Sequence, residues 1–254
     1  MAKALTGAVA LITGASSGIG EATAVQLAAQ GAKIVVAARR KERLEALAER
    51  ITADGGKVLV LPADITKQAT AVATVERTIS EFGRLDILVN NAGVMLLSNI
   101  QNADTAEWER MIDINLKALL YMSHAALPHL LKAAEDSPRK VADIVNISSV
   151  AGRRARIGAG VYNATKFGVV AFTEALRQEV TGRHVRVSVV EPGVVRTELQ
   201  SHMNEENRTK TMKPFEGITQ LESEDIADII EFIVTRHWRS AINEVLVRPT
   251  EQAF

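Results

Sequence analysis

Short runs of consecutive apolar, often β-branched residues alternate with longer amphipathic segments along the whole chain. The runs predicted as strands are Ala8–Thr13, Lys33–Ala38, Lys57–Leu61, Asp86–Asn90, Ala142–Ser148, Val185–Glu191 and Asn243–Arg248. Most are apolar on successive positions instead of alternate ones, which suits parallel strands covered on both faces. Between them the apolar positions fall at helical spacing: Leu44, Leu47, Ala48 and Ile51, then Val72, Val75, Ile79 and Phe82. A third stripe, Ile226, Ile229, Ile230 and Ile233, lies on a helix that Ser223 is expected to cap. Asp104 followed by Glu107 reads as a capping box opening a long helix with Trp108, Met111, Asn115 and Leu119. These stripes are core. Strand–helix alternation implies right-handed crossovers, hence an α/β fold of Rossmann type. Its doubly wound parallel sheet should hold about seven strands with helices on both faces, in a single domain spanning residues 1–254.

Two segments break the pattern. Lys132–Lys140 is polar, contains Pro138 and reads as an exposed loop. Residues 196–220 are polar and poorly periodic, with His202, Met203 and Phe215 scattered through them. Long irregular segments in compact domains are often lids, and this one is the candidate substrate lid.

Composition narrows the chemistry. A chain of 254 residues can bury a sizeable core. Thirty basic and thirty acidic side chains cancel, so no global field draws nucleic acid or an anionic membrane. Without cysteine there is no disulfide, zinc thiolate or thiol nucleophile. The five histidines never fall at a ligand-like i, i+4 spacing, and no metal is expected. No apolar run approaches the roughly 20 residues that cross a bilayer. The opening MAKALTG leads straight into a strand, unlike a signal peptide. The expectation is a soluble, cytoplasmic protein.

Against that background, TGASSGIG (Thr13 to Gly20) falls between the first strand and a helix beginning near Gly18. Gly14 permits a tight turn, Gly18 a close approach to a pyrophosphate, and Gly20 tight helix–strand packing. The N–H groups that open the helix, around Ser16, Ser17, Gly18 and Ile19, then face phosphates. Three glycines alone are weak evidence; their place after the first strand strengthens it. At the end of the second strand, where a carboxylate would accept the ribose hydroxyls of NAD, stand Ala38, Arg39, Arg40 and Lys41. Guanidinium groups there can hold a 2′-phosphate, so NADP(H) is the expected cofactor, with Arg39 the principal contact. Arg40 or Lys41 could equally solvate the start of the next helix. Asp64 and Ile65 should lie near the adenine, and Asn91, Ala92 and Gly93 should let backbone approach the cofactor. Asn90 reads as a structural residue tying strands together.

The reacting group is read from YNATK and NISSVAG. A phenol with a pKa near 10 is a poor proton-transfer catalyst at neutral pH. Lys166, four residues after Tyr162 on the same helix face, should favour the phenolate and reach the nicotinamide ribose. Ser149 can hold a carbonyl oxygen against Tyr162. Asn115 could hold a water in a relay to Lys166, or simply pack its helix. After the sixth strand, Pro192 and Gly193 turn the chain, so that the Val195 N–H and the Thr197 hydroxyl could hold the nicotinamide carboxamide.

In order and spacing, TGASSGIG, NNAG, Asn115, NISS, YNATK and PGVVRT resemble the short-chain dehydrogenase/reductase family in its single-domain branch. The resemblance covers essentially the whole chain. It implies a catalytic set of Asn115, Ser149, Tyr162 and Lys166, reversible reduction of a small carbonyl compound, and a homotetramer built through the long helices after strands four and five. AARRKERLEAL and INEVLVRPTEQ are similar to an NADP-preferring subgroup that includes serine dehydrogenase-like and clavaldehyde dehydrogenase-like enzymes. Ser17 stands where many NADP-dependent members carry a basic residue, which leaves the phosphate to Arg39 and its neighbour. Arg153, Arg154 and Arg156 follow Ser149; one of them could pair with a substrate carboxylate or phosphate, or all could be solvated or subunit contacts. The competing reading is a non-catalytic NADP-sensing or scaffold protein on the same fold.

Overall fold

The structure, a computed structural model, describes residues 3–203 and 205–253. Seven parallel strands form one sheet: β1 (Val9–Thr13), β2 (Lys33–Ala38), β3 (Lys57–Pro62), β4 (Ile87–Asn90), β5 (Ala142–Ile147), β6 (Val185–Pro192) and β7 (Glu244–Val247). Each lies within one residue of its predicted ends. The spatial order is β3-β2-β1-β4-β5-β6-β7, so strand order reverses between β1 and β4. A crevice opens beyond the carboxyl ends of strands at such a reversal.

Side chains alternate across each strand and feed two apolar layers. Ala10, Ile12, Ile34 and Val36 pack with α1 (Gly18–Ala29), α2 (Lys41–Ala53) and the Ile226 and Ile230 side chains of a helix near the C-terminus. Val9, Leu11, Val35 and Leu88 face the other way, toward α3 (Gln68–Phe82) and toward Met122 and Leu130. Asn90 is buried between strands, donating to Ser123 Oγ (3.0 Å) and to Asn146 Oδ1 (2.9 Å), and so ties β4 to β5. Among the described residues, no helix is long and apolar enough to cross a membrane.

Four expectations change. The helix opened by Asp104 is not one regular column. It runs as α4 (Thr105–Ile112), widens to a π-turn over Asp113–Lys117, and resumes as α5 (Ala118–Asp136). The Asp104 side chain caps it by accepting from Ala106 N (2.9 Å), without a reciprocal bond from Glu107. Lys132–Lys140 is not a loop throughout, because Lys132–Asp136 form the last turns of α5. KAAED is a good helix former, and the Ser137-Pro138 step stops it. In the predicted lid, an η-turn (Glu198–His202) is followed by α7 (Glu205–Met212) and a second η-turn (Lys213–Phe215). Asn204, within that stretch, lies outside the described residues. Finally, α8 (Ser223–Val234) is capped by Glu222, not Ser223. Glu222 and Asp225 form the reciprocal box, which leaves Ser223 inside the first turn.

Candidate active site

Beyond the strand ends at the β1/β4 reversal lies a cavity of about 530 Å³. Its first wall is the loop after β1. Gly14 has φ +66°, and a Cβ there would stand 2.7 Å from Ala92 Cα; at Gly20 it would stand 2.7 Å from the Gly14 carbonyl oxygen. Only glycine lets the loop lie this close to the end of β4. Thr13 Oγ1 accepts from Asn91 N (3.0 Å) and Ala92 N (3.2 Å), while Asn91 Nδ2 donates to Thr13 O (3.0 Å), locking loop and strand end together. Ser17 is the N-cap of α1 but gives it no side-chain hydrogen bond. The first-turn N–H groups are thus left for a ligand, and an anion suits the positive end of the helix. Gly14, Ser16, Ser17, Gly18 and Ile19 all line the cavity; Gly20 sits behind them.

Arg39 and Arg40 both line the cavity, but Arg40 is the one drawn onto the loop. Its Nη2 donates to Ser16 Oγ (2.9 Å) and Ser17 Oγ (2.7 Å), and its Nη1 to Glu198 Oε2 (2.7 Å). Arg40 therefore brings a cation to Ser17. It does not merely solvate the start of α2. Arg40, then Arg43, hold the Glu198 carboxyl down at about 2, and the same contacts tie the Glu198–His202 turn to the loop. Arg39 acts instead on Asp64, whose carboxyl is held low chiefly by the Thr66 hydroxyl (2.7 Å). Ile65, Asn91, Ala92 and Gly93 complete this half of the wall. A glycine cradle, an uncapped helix start and two arginines fit a phosphorylated dinucleotide.

The opposite wall carries the predicted proton-transfer group. Ser149 closes β5 as the cap of a short turn, its Oγ accepting from Ala151 N (3.1 Å) and donating to Pro192 O (3.4 Å). Tyr162 and Lys166 project from the first turns of α6 (Gly160–Val180) and are 5% and 6% exposed. The Lys166 Nζ donates to Ile147 O (2.9 Å) and stands 5.8 Å from the Tyr162 ring centroid. Burial pushes the phenol up to about 12, and a hydrogen bond with Ser149 pulls the other way. The expected lowering by Lys166 is thus absent from the protein alone. Burial pushes Lys166 down to about 8, so both groups favour their neutral forms.

Asn115 sits in the π-turn; its Oδ1 accepts from Val94 N (2.8 Å), and its Nδ2 donates to Val94 O (2.9 Å) and to Thr165 Oγ1 (3.3 Å). These contacts fix the segment after β4 and the first turns of the helix bearing Tyr162 against the π-turn. Pro192, Gly193, Val195 and Thr197 line the cavity. Val194 N donates to Gln252 Oε1 (2.9 Å) and Arg196 N to Leu221 O (2.8 Å), so the amides on either side of Val195 are engaged.

Sequence reasoning missed Glu198, Asn163 and Gln252. Asn163 was visible inside YNATK; Glu198 and Gln252 carried no signal, because only folding brings them to the cavity.

The profile of the short chain dehydrogenase family matches residues 8–208, and the chain belongs to that family of oxidoreductases. An uncharacterised oxidoreductase of Staphylococcus saprophyticus is 37% identical over 248 residues, covering 97% of each chain. The closed form of a serine dehydrogenase complexed with NADP+ superposes with a TM-score of 0.87 at 32% identity, over 97% of this chain and 96% of that one. A 3-ketoacyl-(acyl-carrier-protein) reductase from Brucella melitensis, complexed with NADH, gives 0.85 at 32% identity, over 97% and 98%.

Proposed function

We propose that the chain is an NADP(H)-dependent carbonyl reductase that works reversibly as an alcohol dehydrogenase on a small aldehyde or ketone. The observation that carries this reading is a cluster of half-buried Ser149 with buried Tyr162 and Lys166, facing a glycine cradle across one cavity. When bound, the cofactor supplies a hydride in reduction and accepts one in oxidation. Gly14, Ser16, Ser17, Gly18 and Ile19 would hold its pyrophosphate end, and Arg39 and Arg40 a 2′-phosphate. The relatives' bound cofactors include both NADP+ and NADH; the two arginines favour the phosphorylated form here.

Ser149 orients the carbonyl oxygen toward Tyr162. In reduction Tyr162 gives its proton to that oxygen, and in oxidation it takes one back. Lys166, charged, stabilises the phenolate formed in between. Asn115 positions the Val94 backbone beside them. Residues 196–220 act as the substrate lid, and the functional assembly is a homotetramer.

A sensor on this fold would not depend on a phenol beside a buried lysine. Tyr162→Phe should therefore lower kcat by about 10²- to 10⁴-fold, while the NADP+ dissociation constant measured by calorimetry stays unchanged. Undiminished turnover in this variant would remove Tyr162 from the proposed role.

A further inference from the structure

The three arginines after Ser149 separate in the structure. Arg153 donates to Glu191 (2.7 Å) and to Glu244, so its charge is committed between β6 and β7. Arg154 is exposed and is not among the cavity-lining residues. Arg156 is half-buried, lines the cavity, and places its guanidinium 5.4 Å from the centroid of the Phe215 ring in the lid segment.

Its position is fixed relative to the phenol. Arg156 N donates to Asn163 Oδ1 (3.2 Å), and Asn163 Nδ2 donates back to Ala151 O (2.7 Å) and Arg154 O (3.1 Å). Asn163 follows Tyr162 directly, so the arginine loop and the phenol hang from the same helical turn. The charges along the cavity are also divided. Among the described side chains its carboxylates are Asp64, bonded to Thr66, and Glu198, bonded to Arg40 and Arg43; both belong to the half bearing Ser16 and Arg39. Around Tyr162 the basic lining groups are Arg156 and Lys166, whereas His202 lies toward Glu198, Arg39 and Arg40. Burial first, then the charges of Arg154 and Arg248, push the Arg156 pKa down. A partly desolvated cation backed by two others gains from an anion in front of it.

We propose that Arg156 reads a carboxylate on the substrate, so that the preferred substrates are oxo acids and the corresponding hydroxy acids instead of neutral carbonyl compounds. This rests on the reductase reading above.

The test compares malonic, succinic and glutaric semialdehydes with their methyl esters, in wild type, Arg156→Gln and Arg156→Lys, with Arg154→Gln as control. For at least one acid, wild-type kcat/KM should exceed that for its ester. Arg156→Gln should lower the acid's value on the order of 10- to 100-fold, mainly through KM, and leave the ester unchanged. Arg156→Lys should recover part of the loss, and Arg154→Gln should behave as wild type. Calorimetric titration of the NADP+-loaded protein with succinate gives a readout that needs no turnover; binding should be lost in Arg156→Gln. Equal use of acid and ester by wild type, equal losses for both in Arg156→Gln, or no succinate binding to wild type would each overturn the inference. Succinate binding that depends on Arg156, without turnover of any carbonyl, would instead defeat the reductase reading and leave Arg156 only as a carboxylate-binding group.

Discussion

Tyr162 and Lys166 share one environment but respond to it in opposite directions, the phenol raised to about 12 and the ammonium lowered to about 8. The sign of the pH dependence follows. Tyr162 keeps its proton throughout the neutral range, as an acid in carbonyl reduction must. Lys166 is charged only below about 8, and its charge is what favours the phenolate left behind. On the proposed mechanism, kcat/KM for reduction falls as pH rises through about 8, while oxidation, which needs the phenolate and the charged lysine together, rises up to about 8 and then levels. Parallel pH profiles for the two directions would contradict the assignment. Tyr162, Lys166 and Ser149 were legible in the sequence because helical spacing and a strand end put them together. The arginines were not. Arg39 and Arg40 are adjacent in sequence, and only the placement of the Ser16 and Ser17 hydroxyls separates their roles.

At the scale of elements, the strand–loop–helix unit from β1 into α1 is closed against the end of β4 with no space for another atom at Gly20. An added Cβ would lie within 3.0 Å of both the Gly14 carbonyl oxygen and Ala15 Cα, backbone that cannot swing aside. Gly20→Ala should therefore displace the loop, cost about 1–3 kcal/mol of stability, and weaken NADP+ binding by at least about tenfold. Urea denaturation and calorimetry measure the two effects; an unchanged dissociation constant would show that the loop's exact path is unimportant. Strands were easy to read because successive apolar residues signal a sheet covered twice. Residues 205–212 give no helical signal because EENRTKTM has no apolar stripe, and helical propensity with little burial gives no periodicity to detect. Glu198 lies in the same blind region, since a lone exposed-looking carboxylate says nothing about two arginines about 155 residues away in sequence.

Across the whole molecule, the amino ends of the strands hold what the carboxyl ends do not need. Asp143 on β5 is buried and accepts from Arg186 Nε (2.7 Å) on β6 and from Arg139 (2.6 Å). Arg186 continues to the carbonyls of Val234 and Ser240, fastening the end of α8 to the sheet. Asp143→Ala would leave Arg186 buried without its counter-charge. It should cost about 3–5 kcal/mol in urea unfolding, with kcat/KM per folded molecule unchanged, because the site lies at the opposite strand ends. A loss of activity larger than the loss of folded protein would argue against that separation. The sequence showed these charges only as interruptions of apolar strands. The π-turn at Asp113–Lys117 has a consequence of similar reach. A π-turn holds one more residue than an α-turn, so deleting one there would restore a regular helix and leave α5 nearly in phase with α4. Met122, Ala126 and Leu130 would keep their places in the core, while Asn115, on the widened turn itself, would lose its register with Val94. The additional residue therefore shapes the cavity wall and not the core, and a single-residue deletion there should spare cooperative urea unfolding while lowering kcat/KM.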